Sequence, residues 1–223
     1  MRFARENGLS IFFLVIFLAS LAGQAIAGHA QFNHDQLLHH GDAISLGRYL
    51  TTSAFASDVA ENWQSEYLQF TLYIFTTVWL LQRGSPESKP LDQAGLETDE
   101  EQKVGEHADE RSPRWARTGG WRTALYANSL VIVMTTIWLL SWLAQSIAGQ
   151  SAYNAEQLDH QAATLSWLGY VGSSDFWDRT LQNWQSEFLA VGSMAILSIY
   201  LRQRGSPESK PVGSPHEATG VEG

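Results

Sequence analysis

The sequence predicts an all-α polytopic membrane protein: four transmembrane helices arranged as two tandem hairpins in a parallel repeat. Three observations predict it. The chain contains uncharged apolar runs, it repeats itself at a fixed offset, and its Lys and Arg residues are unevenly distributed. Its 223 residues are 44% hydrophobic and include nine Trp but no Cys, which excludes disulfides and thiolate metal sites. The formal charge of −9 is concentrated in one place. Between Leu91 and Glu110 stand eight acidic residues and a single lysine, Lys103.

The first span is read at residues 8–27, where Gly8 to Ala27 carries no ionisable side chain. Twenty residues at about 1.5 Å each cross a hydrocarbon core of about 30 Å. The third span, at 124–146, lies in a second such run from Ala124 to Ala148, whose only ionisable group is a tyrosine phenol. Two shorter apolar runs, Tyr67–Leu81 and Phe188–Leu201, reach only about 21 to 23 Å as helices and are ambiguous alone. The repeat decides them. Asn62 and Asn183 open the same pentapeptide, Asn-Trp-Gln-Ser-Glu, 121 positions apart, and the two halves align without a gap from Asn7/Asn128 to Pro90/Pro211. The second and fourth spans are therefore expected at about 64–82 and 185–203.

Residues 1–90 and 121–211 are thus the two hairpin repeats. An acidic and then basic linker, 91–120, joins them, and a tail, 212–223, follows; neither shows hydrophobic periodicity, and both are expected to be disordered. Twelve of the fourteen Lys and Arg residues lie at the N-terminus, between the second and third spans from Arg83 to Arg122, or at the C-terminal end from Arg202 on, and only Arg48 and Arg179 lie in the hairpin loops. The positive-inside rule then makes both termini and the linker cytoplasmic and both hairpin loops external, in a multi-pass inner-membrane topology. A rival reading takes residues 1–27 as a signal peptide, with Arg2 and Arg5 before the apolar stretch and Ala25-Ile26-Ala27 as the cleavage signal; cleavage after Ala27 would leave three spans. The matching "SIAG" of the second half follows an internal helix and argues for retention.

The site residues predicted are Asn62, Trp63, Gln64, Ser65 and Glu66, with Asn183, Trp184, Gln185, Ser186 and Glu187. The tryptophans fit the aromatic belt at headgroup level. Asn and Glu, four apart, share one helix face, which continues through Gln69 and Tyr73 in the first copy and through Ala190 and Met194 in the second. Two roles stay open for the glutamates. They accept hydrogen bonds from amides, Arg48 or Arg179 and lock the helices together, or they form a proton- or cation-binding pair. Each short helix is expected to begin outside the membrane and run in continuously, since Phe55, Val59 and Trp63, like Phe176, Thr180 and Trp184, recur every four residues. At the other end the octapeptide "RGSPESKP" occurs twice. Arg83 and Arg204 are read as membrane anchors, Gly84 and Gly205 as left-handed residues, and Ser-Pro-Glu as the opening of a short interfacial helix.

The basic cluster Arg111, Arg114, Arg117 and Arg122 beside the third span suits anionic headgroups, so the lipid bilayer is the expected partner, with a second copy or another membrane protein as candidate and no nucleic acid. His29, His34, His39, His40 and His160 show no metal-ligand spacing, and no catalytic or cofactor motif is legible. The expectation is a membrane scaffold or interaction protein with no enzyme activity, metal or cofactor, the alternative being a small proton or cation translocator using Glu66 and Glu187. The opening "RENGLSI", the helix ends "GQAIAG" and "AQSIAG", the "NWQSE" pair and the "RGS" exits resemble a family of small bacterial membrane proteins catalogued as a domain of unknown function. The resemblance implies a bacterial inner-membrane protein and brings no activity or catalytic residue.

Overall fold

The computed structural model describes residues 2–221, so Met1 and the last two positions of the tail lie outside it. Among the described residues there are nine α-helices and no strand. The first half holds α1 (Arg2–Glu6), α2 (Gly8–Leu38), α3 (Leu46–Tyr49) and α4 (Ser53–Thr76). Turns and one 3-10 turn, Gly105–His107, then lead to α5 (Arg114–Arg117) and α6 (Gly120–Ala127). The second half is α7 (Ser129–Asp159), α8 (Trp167–Val171) and α9 (Ser174–Tyr200). Both bounds of α2, and the first residues of α3 and α4, recur 121 positions on as those of α7, α8 and α9.

A local device sets the start of each long helix. Asn7 and Asn128 each turn a side-chain amide back to the carbonyl four residues earlier, Phe3 and Ala124, at 2.9 and 2.8 Å. Asparagine competes with the backbone for such bonds and so interrupts a helix. The expected third span is therefore divided, its first residues belonging to α6. Two helices, α2 and α7, are long and apolar enough to cross a membrane by length and composition, and only 6% and 17% of their most apolar windows are buried.

α4 and α9 each run unbroken through their pentapeptide, but α4 ends at Thr76, not near residue 82. The cause is local. Thr71 and Thr77 return their hydroxyls to the carbonyls of Tyr67 and Tyr73, both at 2.7 Å, and Thr76-Thr77-Val78 is a β-branched run that crowds a helix. The octapeptide is also not helical. In both copies its second serine, Ser88 or Ser209, accepts a bond at 2.9 Å from the backbone N–H of Gln82 or Gln203, closing a loop over Gly84 or Gly205. Those glycines do adopt positive φ, 85° and 80°, but inside this loop and not at the helix end.

The chain divides into two compact units. The first comprises Met1–Ala60 and Leu143–Phe176. In it Asn33 accepts from Ile44 N–H at 2.8 Å and donates to Ile44 C=O at 3.0 Å; Asn154 does the same to Leu165 at 2.8 and 2.9 Å. These amide clamps tie each loop to the end of its long helix. Beside them Tyr49 packs among Phe32 and Phe55, and Tyr170 among Tyr153 and Phe176. A Cβ on Gly28 would stand 2.3 Å from the Tyr49 hydroxyl, and one on Gly149 2.5 Å from that of Tyr170, so each close approach requires glycine. Burial, and secondarily the Asp58 carboxylate, pushes the Tyr49 phenol above its usual range. His39 and His160 meet edge to face at 5.8 Å in the same unit.

The second unit comprises Glu61–Trp142 and Trp177–Gly223. The stretch after Val212, which composition assigns to disorder, here folds back. Buried Lys210 donates to the carbonyls of Gly84, His216, Ala218 and Pro215 at 2.6 to 3.3 Å. Lys89, its counterpart in the first copy, instead reaches Gly95 C=O at 2.9 Å and the Glu97 carboxylate. That contact holds the Glu97 carboxyl below its usual range.

Candidate functional site: the paired pentapeptides

Within the second unit the two copies of the pentapeptide meet. Trp184 Nε1 donates to Gln64 Oε1 at 2.8 Å, joining the tryptophan of one copy to the glutamine of the other. Gln64 is fully buried and Ser65 nearly so. The Gln64 Nε2 donor has no hydrogen-bond partner among the described residues. The Trp184 ring extends the contact to Trp142 at 6.0 Å, which meets Trp138 nearly parallel at 5.9 Å and Trp177 at 6.1 Å. The sequence writes Phe17, Leu21 and Ala56 at the positions corresponding to Trp138, Trp142 and Trp177, so the aromatic cluster belongs to one copy.

The two copies are used unequally. Asn62, Trp63 and Glu66 are exposed while Gln64 and Ser65 are inside; in the second copy Asn183, Trp184 and Glu187 are half-buried and Gln185 and Ser186 exposed. What both copies share is local: Ser65 and Ser186 each return a hydroxyl to the carbonyl three residues back, at 2.9 Å. Arg83 and Arg204 are exposed at the loops that follow the helices.

One contact escaped the sequence reading. Arg179 pairs with Glu61 at 3.3 Å, and the Glu61 side chain is only 12% exposed. The positions corresponding to Glu61 and Arg179 in the other copy are Gln182 and Asp58, so comparing the halves gives no sign of the pair. Its only sequence signal is that each charge stands on the helix turn just before a pentapeptide.

A family model described as a domain of unknown function (DUF6766) matches residues 1–221. The chain belongs to this family. The match covers both halves of the chain, the segment between them and nearly the whole tail. No curated protein and no solved structure matches the chain.

Proposed function

We propose that this member of the family is a four-span bacterial inner-membrane protein of two tandem hairpins, with both termini cytoplasmic, acting as a membrane scaffold or interaction protein and not as an enzyme. The bond from Trp184 to Gln64 carries this reading, because it uses a motif that the chain writes twice to join one copy to the other. Amide and indole groups suit that task inside a bilayer, where an interhelical hydrogen bond is worth about 0.6 to 2 kcal/mol. The bare apolar faces of α2 and α7 support the membrane assignment: a soluble chain would cover such surfaces, and α7 is too far from the N-terminus to be a leader. The arginines beside the third span, with Arg122 over the Trp121 ring at 5.6 Å, suit an anionic headgroup layer on the cytoplasmic side.

A second reading, a proton or cation translocator, starts from the carboxylates that the two pentapeptide copies carry, Glu66 and Glu187, at the membrane-entry end of their helices. Reconstitution of the full chain into vesicles with a pH-sensitive or potassium-sensitive dye separates the two. The scaffold reading predicts fluxes equal to those of empty vesicles. A flux that both Glu66→Gln and Glu187→Gln abolish, with elution from a sizing column unchanged, would replace it with the second reading.

A further inference from the structure

Farther along the face that carries Glu66 and Glu187, the second unit contains a cavity of about 310 Å³. One wall is Gln69, Phe70 and Tyr73 of α4; the facing wall is built from small or apolar side chains of α9, including Ala190 and Met194. Glu87 and Glu208, the glutamates of the two octapeptide copies, complete the lining. We infer that this cavity is a binding site for a small organic cation with an apolar body, such as an aryl or alkyl ammonium.

Three features carry the inference. The first is charge: two carboxylates line the cavity, and no Lys or Arg is among the described residues that do. The second is the set of hydrogen-bond acceptors. Tyr73 spends its hydroxyl proton on Glu87, which leaves the phenol oxygen as an acceptor, and the Gln69 amide oxygen is shielded from solvent with no hydrogen-bond partner among the described residues. A buried acceptor of that kind is costly unless a donor reaches it. The third is size and lining. About 300 Å³ is the lower range of small-molecule sites, and the rings of Phe70 and Tyr73 offer faces to a positive headgroup. A bare divalent ion would need a close shell of six or more oxygens, and among the described residues no group of three or more His, Cys, Asp or Glu could hold a metal. The inference also accounts for a feature of the sequence. Between Gln69–Trp79 and Ala190–Tyr200 the two copies share no residue, as expected if one copy supplies a polar aromatic wall and the other a small apolar one.

The test is calorimetric titration of the detergent-solubilised full chain with benzylammonium chloride, whose N–H groups can reach these acceptors, beside its neutral isostere ethylbenzene and sodium chloride. Saturable binding of the ammonium compound alone is expected. Two partly exposed carboxylates together contribute about a tenfold change in affinity, so Glu87→Gln with Glu208→Gln should weaken binding by about that factor. Because Glu87 also holds Tyr73, Ala190→Phe serves as a second variant, filling the apolar side and abolishing binding without touching any charge. Each variant is compared at unchanged helix content and elution volume. Absence of saturable ammonium binding, equal binding of the neutral isostere, displacement by sodium at equal concentration, or unaltered affinity in Ala190→Phe would each overturn the inference.

Discussion

Gln64 has no exposed surface, and its amide oxygen is the acceptor through which the two pentapeptides meet. Removing the donor leaves a buried acceptor unpaired, which costs about 1 to 3 kcal/mol. Trp184→Phe is therefore expected to destabilise the solubilised protein by that amount, and to do so less in a Gln64→Leu background, with a coupling of about 0.6 to 2 kcal/mol in the double-mutant cycle. Additive effects in chemical unfolding would show that the bond does not join the copies. The motif was legible in the sequence, because five identical residues at a fixed offset cannot be missed. Its internal ranking was not. Sequence reasoning singles out Glu66 and Glu187, since a carboxylate at membrane depth demands a cause. The structure instead turns Glu66 to the surface and buries Gln64, whose amide can accept the indole proton without the desolvation cost of a charge.

At the level of elements, the repeat foretold more than hydropathy alone. The loops of the first unit are each fixed by one asparagine that both accepts from and donates to the same residue, Ile44 or Leu165. Asn33→Leu, and separately Asn154→Leu, should each cost about 1 to 3 kcal/mol, because the N–H of Ile44 or Leu165 loses its partner while the carbonyl keeps its contact with His29 or Gln150. Hydrogen exchange at Ile44 N–H or Leu165 N–H should rise in the matching variant and stay unchanged in the other. Equal protection in wild type and variant would remove the clamp from the account. Asn33 and Asn154 were visible as recurring residues, but their partners lie eleven positions on in a loop with no periodic pattern. The end of α4 was illegible for another reason: apolar content suggested continuation to residue 82, while threonine hydroxyls near Thr76 favour local bonds to the carbonyls behind them. The octapeptide misled in the same way, since Ser-Pro-Glu reads as a helix start while Ser88 and Ser209 close it into a loop.

For the whole molecule, mean hydropathy is −0.16, a value that averages two bare apolar helices with a strongly polar linker. The distribution of residues along the chain is therefore more informative than the average. All-helical architecture follows from that distribution. So do the two long helices, whose apolar surface is left largely uncovered within the molecule. The assignment of α4 and α9 as further spans rests on the repeat and on the charge asymmetry, since their helical apolar stretches are short and carry polar residues ahead of them. The central claim, two hairpins with external loops and a cytoplasmic linker, is tested most directly by single-cysteine labelling, for which a chain lacking cysteine is already suited. Ala43→Cys, Thr164→Cys, Gln93→Cys and Val212→Cys, all at exposed positions, would be treated in intact spheroplasts with a membrane-impermeant maleimide. The account predicts that Ala43→Cys and Thr164→Cys react at once, and that Gln93→Cys and Val212→Cys react only after permeabilisation. Reaction of Gln93→Cys in intact spheroplasts, or protection of Ala43→Cys and Thr164→Cys, would contradict it.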